Sequence, residues 1–339
     1  MEQYKLNELF PTEEAVIEHF IKIRYPNGVS CPHCGATFKV YHRKDHPKLF
    51  QCCNCDNHFS IFKDTIFEKT RVDLRKWMLA INFMVNDKKG ASALQLQRYI
   101  GGSYETSWRM MKQIRKAMGN EETRELFEAI VEVDETYIGG KPRKDNDSMG
   151  KGGNGGLEDD SSEPKNKRGR GTDKTPIIGI KERSQGHVYA RVALPNEQGQ
   201  KLTGKQLLNV ISSACSKDAT VITDNLSSYN ILDRKGYVHL TINHSAGQFS
   251  DGKGKHTNGI EGFWALFKRG VYGMYHHISV KHMQKYVDEF VFRQNNRKNK
   301  DVFNTLLMQC VLSSQKLCLQ KSQGMNKSSM LSSFPVFME

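Results

Sequence analysis

The chain has 339 residues and carries 50 lysines and arginines against 37 aspartates and glutamates, which gives a formal net charge of +13 at pH 7. This length predicts two or three domains rather than one. No apolar run approaches the roughly 20 residues of a membrane helix, and the glutamate-rich start lacks the layout of a signal peptide, which argues against membrane and secreted proteins. The positive charge indicates a polyanionic partner, nucleic acid first.

A helical lead-in is predicted over residues 1–27, and a cysteine cluster follows it. Two CxxC pairs are separated by seventeen residues, which is the spacing of a four-thiolate zinc site. We therefore predict a zinc ribbon over 28–63 that holds one structural Zn²⁺. Its expected ligands are Cys31, Cys34, Cys52 and Cys55. Cys53 or His33 could replace one of these ligands, and a disulfide pair or a redox CxxC motif is the competing interpretation.

Residues 70–120 predict a helical domain. A first helix begins after Asp73, a second ends at Gly101 and Gly102, and a third begins after Ser103 and is rich in basic residues. A helix, a glycine-containing turn and a basic helix are typical of a helix-turn-helix, whose second helix enters the major groove of DNA. The predicted DNA contacts of this third helix are Arg109, Lys112, Arg115 and Lys116. An ordinary three-helix bundle with a solvated basic face is the alternative.

The pattern changes to β-branched and apolar runs in the segment 128–300. Strands are predicted at 130–138, 176–180, 187–193, 219–224 and 237–242, with one helix before the fourth strand and another from about 258 to 270. This order predicts an α/β domain of the ribonuclease-H-like class, a mixed sheet with flanking helices in which the first and fourth strands are neighbours. Residues 141–174 lack aromatic side chains, and we predict that they form a mobile loop. A C-terminal helical tail is predicted over 301–339.

Two predicted strands carry a carboxylate near their end, Asp134 in the first and Asp224 in the fourth. Neighbouring strands would bring both to one edge of the sheet, where hard oxygen ligands can hold two Mg²⁺ or Mn²⁺ ions for phosphodiester chemistry. The helix from 258 offers a third ligand, with Glu261 favoured and Asn258 as the competitor. Lys268 lies two turns after Glu261 and is expected to face the DNA backbone.

The segment after this helix is basic and aromatic, a composition that suits phosphates and unstacked bases. The predicted DNA contacts there are Lys268, Arg269, Tyr272, His276 and His277.

Four stretches make the chain resemble a known family. They are CPHCG with FQCCNCDNHFS, VEVDETYIGGK, ITDNLSSY and HTNGIEGFWALFKRG. Over roughly residues 10 to 310 the sequence resembles DDE-type insertion-sequence transposases with an N-terminal zinc ribbon, the ISXO-like group, which is related to eukaryotic Merlin elements. The resemblance implies that Asp134 and Asp224 bind the catalytic metal and that Lys268 is the family's trailing lysine. It leaves the third position open between Glu261 and Asn258.

The same resemblance implies a function. The expected activity is metal-dependent DNA cleavage and strand transfer, with double-stranded DNA as the partner, both as terminal inverted repeats and as target. A homo-oligomer, dimeric or higher, is expected in the synaptic complex. The expected location is the cytoplasm, in association with the nucleoid, or the nucleus if the protein comes from a eukaryote. The alternative is a domesticated or inactive zinc-ribbon DNA-binding protein without catalysis, and a structure-specific nuclease is a lesser one.

Overall fold

The computed structural model describes residues 2–119, 125–139, 174–242 and 256–312. The predicted loop up to residue 173 and the tail after 312 lie outside the described residues. The chain divides into two compact units. The first comprises Met1–Glu125 and Asp288–Glu339, and the second comprises Leu126–Val287.

The strands and helices follow the predicted order closely. The strands are β1 (Val40–His42), β2 (Leu49–Cys52), β3 (Asn57–Ser60), β4 (Ile130–Ile138), β5 (Thr175–Glu182), β6 (Val188–Val192), β7 (Thr220–Asp224) and β8 (Val238–Ile242). The helices are α1 (Gln3–Leu9), α2 (Glu13–Arg24), α3 (Leu74–Asn86), α4 (Ala93–Ile100), α5 (Tyr104–Met118), α6 (Gly204–Ser212), α7 (Ile231–Arg234), α8 (Asn258–Gly270), α9 (Val280–Asn295) and α10 (Val302–Val311). None of the helices in the described ranges is both long and apolar enough to cross a membrane.

The first unit combines a small sheet with a helical core. Strands β1, β2 and β3 form an antiparallel three-stranded sheet. The apolar side chains of α3 that the sequence places on one stripe, among them Trp77, Met78 and Ile81, are buried in the core of this unit. Helices α4 and α5 are joined by Gly101 and Gly102, whose φ angles of 72° and 90° lie in the left-handed region that favours glycine.

The second unit is built on a five-stranded sheet in the order β6-β5-β4-β7-β8. Strand β4 is antiparallel to β5 and parallel to β7, and β7 is parallel to β8. The first and fourth strands of the domain are therefore neighbours, and the predicted ribonuclease-H-like class of mixed sheet is confirmed. One face of the sheet forms an apolar core with α6, in which Val131, Val221 and Leu207 are fully buried. The other face carries α8.

Candidate functional site

The four predicted zinc ligands converge in the first unit. Among the described residues, Cys31, Cys34, Cys52 and Cys55 are the only group of three or more potential metal ligands whose donor atoms all lie within 4.8 Å of one another. The Sγ atoms are 3.7 Å apart for Cys31 and Cys55 and 3.6 Å apart for Cys34 and Cys52. Four thiolates about 2.3 Å from a tetrahedral Zn²⁺ would be about 3.8 Å apart, so the cluster fits this ion.

The environment of the cluster favours a thiolate at one of its members. The backbone N–H of Ala36, followed by the Asn54 side chain, lowers the pKa of Cys34 to about 6. Cys53 is exposed and stands outside the group of four. The four cysteines chosen from their spacing are thus the ones that the fold brings together.

In the second unit the strand register brings the two predicted aspartates together. Strand β4 runs parallel to β7 with Glu132 opposite Ile222. Continued by two residues, this register places Asp134 opposite Asp224. Both residues therefore lie on the sheet face that carries α8, because side chains alternate along a strand.

Burial and neighbouring carboxylates disfavour the charged form of Asp134. Burial, followed by the negative charge of Glu135, raises the pKa of Asp134 to about 7, and the charges of Asp224 and Glu261 act in the same direction. Three carboxyl groups from β4, β7 and α8 are thus close enough to interact electrostatically. Within the described residues they do not form a set with all donor atoms inside 4.8 Å, as the cysteines do.

Helix α8 holds its carboxylate beside an apolar stripe. Ile260, Trp264 and Phe267 are buried, as their helical spacing predicts, whereas Glu261 is exposed. The Thr257 hydroxyl donates a hydrogen bond of 2.7 Å to Oε1 of Glu261 and so orients the carboxylate. Asn258, the competing ligand, is exposed at the first position of the helix.

A buried ionic cluster that the sequence does not predict lies at the start of α8. Glu132, which is 1% exposed, accepts hydrogen bonds from the Ile260 backbone N–H at 3.0 Å and from Nε of Arg183 at 2.8 Å. Nδ1 of His256 lies 3.2 Å from its Oε1. An acidic residue in an otherwise apolar strand is the one sign of this cluster in the sequence, but the partners of Glu132 are 51 to 128 residues away along the chain.

The predicted DNA contacts of α5 fall into two groups. Arg109 and Lys116 are exposed, and Lys112 is half-buried with Nζ 5.0 Å from the centre of the Trp108 ring. Arg115 is buried, and its Nε donates to Oε2 of Glu289 at 2.6 Å. A buried and paired guanidinium cannot contact a phosphate, so the prediction for Arg115 is wrong and its role is structural.

The predicted contacts after α8 remain available. All five side chains are exposed: Lys268 and Arg269 lie at the end of α8, Tyr272 on the π-helical turn Val271–Tyr275, and His276 and His277 directly after that turn.

A mixed sheet with two acidic strands side by side and an acid-bearing helix on the same face defines a ribonuclease-H-like domain of the nuclease and transposase type. Residues 126–295 match the ISXO2-like transposase domain, and residues 11–58 match the transposase zinc-ribbon domain. The chain therefore belongs to the ISXO2-like transposase family, which confirms the resemblance seen in the sequence.

Two relatives and one solved structure are among the proteins to which this chain is similar. The chain is 27% identical to a Halobacterium salinarum protein described as "Uncharacterized protein in transposable element ISH50", over 88% of this chain and 97% of the relative. It is 32% identical to an "Uncharacterized transposase-like protein" of Haemophilus influenzae, over 34% of this chain and 87% of that one. A pre-cleavage Mos1 transpososome structure shows a weak likeness, with a TM-score of 0.27 and 14% identity over 68% of this chain and 77% of the other.

Proposed function

We propose that this protein cleaves DNA at the terminal inverted repeats of an insertion element and joins the ends to target DNA, with Mg²⁺ or Mn²⁺ as the cofactor. The observation that carries the proposal is the placement of Asp134, Asp224 and Glu261 on one face of the sheet, in a chain of the ISXO2-like transposase family. These carboxylates would hold two divalent ions, which would supply activation of the attacking oxygen and stabilisation of the leaving oxygen.

The residues of the site have distinct tasks in this scheme. Asp134 and Asp224 supply carboxylate oxygens from rigid, hydrogen-bonded strands, and Glu261 supplies a third from α8. The Thr257 hydroxyl fixes the direction of Glu261. Between the two candidates for the third ligand, Glu261 is favoured because its charge reaches Asp134, with Asn258 in support. The exposed Lys268 is proposed to hold the DNA backbone near the cut.

The first unit is proposed to recognise the DNA ends. Its cysteine cluster would hold one structural Zn²⁺, since a ribbon of this size depends on its metal to fold. Arg109, Lys112 and Lys116 of α5 would contact phosphates, and binding should therefore weaken steeply with salt. Pairing of two element ends requires at least two protein copies, so a homo-oligomer in the synaptic complex and a location on chromosomal DNA are part of the proposal.

A joining assay on terminal-repeat DNA tests the activity. Asp134→Ala and Asp224→Ala should each abolish metal-dependent cleavage and strand transfer while leaving repeat binding intact. Asp218→Ala is the matched control, because Asp218 is an exposed acid at the opposite end of β7. Wild-type joining by either active-site variant would refute the proposal.

The same assay decides between the two candidates for the third ligand. Glu261→Gln should lose joining by about 100-fold or more, whereas Asn258→Ala should retain most of it. The reverse order would assign the role to Asn258. Salt-sensitive repeat binding without joining under Mg²⁺ or Mn²⁺ would instead support the non-catalytic DNA-binding alternative.

A further inference from the structure

The first turn of α8 takes its cap from another element. Backbone N–H groups at a helix start need an acceptor, which the side chain just before the helix usually provides. Here that residue is Thr257, which provides no side-chain cap and whose hydroxyl donates to Glu261. Oε2 of Glu132 accepts from the Ile260 N–H at 3.0 Å instead. Strand β4 therefore caps the helix.

The contact between β4 and the helix start is close and ionic. Glu132 is fully buried; Nε of Arg183 lies 2.8 Å and Nδ1 of His256 3.2 Å from its Oε1. A Cβ atom on Gly259 would lie 2.7 Å from Oε2 of Glu132, so an alanine there would push the carboxylate away from the helix start. Nζ of Lys181 forms a second tether, donating to the Gly259 carbonyl at 2.9 Å.

The position of Glu132 links it to the carboxylate site. It precedes Asp134 by two residues and so lies on the same face of β4, and its hydrogen bond reaches the residue just before Glu261. A single side chain thus joins the strand that carries Asp134 to the helix turn that carries Glu261. Metal sites require their ligands to be held within about 0.5 Å of the productive geometry.

We propose that Glu132 is a positioning residue that sets the place of Glu261 relative to Asp134 and thereby the affinity of the carboxylate site for divalent metal. This inference rests on the proposed function only in taking the three carboxylates as a metal site. It assigns Glu132 no contact with metal or DNA. It predicts that weakening the contact between β4 and α8 weakens metal binding even where the protein stays folded.

A direct measurement of Mn²⁺ binding tests the inference. The full chain, with its zinc retained, is titrated with Mn²⁺, and the electron paramagnetic resonance signal reports the free ion. Glu132→Gln keeps the side-chain length but removes the charge and one acceptor. It should raise the dissociation constant for Mn²⁺ about tenfold, the usual effect of losing an outer-shell partner. Thermal unfolding of each variant shows whether it is folded at the assay temperature, and Asp134→Ala gives the signal without a site.

Glu289→Gln is the matched control. Glu289 is a fully buried carboxylate that pairs with Arg115 and Arg293, but it belongs to the first unit. Its variant should lose stability without a change in the Mn²⁺ dissociation constant. If Glu132→Gln does not fold, Glu132→Asp keeps the charge but withdraws the carboxylate from the Ile260 N–H, and it should shift Mn²⁺ binding in the same direction.

The outcomes separate this inference from the activity. Wild-type Mn²⁺ affinity in folded Glu132→Gln, or an equal loss in Glu289→Gln, would overturn the positioning role. If Glu132→Gln does not fold, wild-type affinity in folded Glu132→Asp would do the same. Weakened Mn²⁺ binding confined to the β4–α8 variants, in a protein whose wild type joins no DNA, would support the positioning role and refute the proposed transposition chemistry.

Discussion

Gly179 lies directly opposite Asp134 in the antiparallel pairing of β4 and β5. A Cβ atom at Gly179 would come within 2.8 Å of Cη2 of Trp264 and within 3.0 Å of Cδ1 of Ile260. Position 179 of β5 must therefore lack a side chain for α8 to pack against the sheet. The same packing that buries Trp264 brings Glu261 to the face that carries Asp134.

Gly179→Ala is expected to destabilise the second unit and to reduce DNA joining. Overpacking of this kind costs about 1–3 kcal/mol, because the indole or the helix must move. A shift of α8 would also displace Glu261 from the aspartates. Thermal unfolding and the joining assay measure the two effects.

Gly262→Ala is the control for that substitution. It lies on the same helix, but a Cβ atom there meets nothing within 4 Å, so alanine should stabilise the helix by about 0.5–1 kcal/mol. Equal unfolding midpoints for the two alanine variants would mean that Gly179 is not a close-contact position.

Local signals in the sequence were sufficient for the cysteine cluster and for the two aspartates. The CxxC spacing is a property of two short turns, and it selected the four sulfurs that converge. Asp134 and Asp224 stand near the ends of β-branched runs, and the order of strands and helices placed those strands side by side. Each of these predictions rests on neighbours along the chain or on a topology with few alternatives.

The buried ionic residues could not be predicted in the same way. The sequence around Arg115 shows only one more cation on a basic helix, because its partner, Glu289, is 174 residues away along the chain. For the same reason, the sequence around Glu132 indicates only an acidic residue in a strand. A periodic pattern gives the face on which a side chain lies, but not the charge that a distant segment places opposite it.

The distinction between Arg115 and its neighbour Lys116 gives a second prediction. Arg115→Met should lower the unfolding free energy by about 3 kcal/mol, since it breaks a buried ion pair and leaves Glu289 with less compensation. Lys116→Met removes an exposed charge. It should leave the unfolding midpoint unchanged but reduce the salt dependence of repeat binding by about one unit of slope.

Chemical denaturation and binding titrations over a range of salt concentrations measure both quantities. If Arg115→Met kept full stability and lost only DNA affinity, the buried pair with Glu289 would have no structural role.

The cysteine cluster gives a third prediction. Cys52→Ser should lose the bound zinc, unfold the ribbon and abolish repeat binding, because three thiolates no longer complete the tetrahedral shell. Cys53→Ser, one residue along but exposed and outside the cluster, should retain zinc and binding. Zinc released per chain and repeat binding are the measurements, and equal zinc loss in both variants would contradict the assignment of the four ligands.

The raised pKa of Asp134 gives a prediction about stability and pH. Its pKa of about 7 in the folded protein exceeds the usual value near 4. The folded state therefore holds this proton more tightly than the unfolded state does. The resulting stabilisation is present below about pH 4 and is lost as the pH rises to about 7. At about pH 8 the charged carboxylate lowers the free energy of unfolding of protein without Mg²⁺ or Mn²⁺.

Asp134→Asn should consequently raise the free energy of unfolding by about 2 kcal/mol at about pH 8 and change it little at about pH 4.5. Denaturant unfolding of zinc-loaded protein without Mg²⁺ or Mn²⁺ measures the difference from wild type. Asp218→Asn, at an exposed acid, should show no such pH-dependent difference. Added Mn²⁺ should stabilise wild type more than Asp134→Asn, because a neutral amide oxygen is a weaker ligand for this ion than a charged carboxylate. Lower stability of Asp134→Asn at about pH 8 would contradict the cost that burial and the neighbouring carboxylates, Glu135 first, place on the charged form of Asp134.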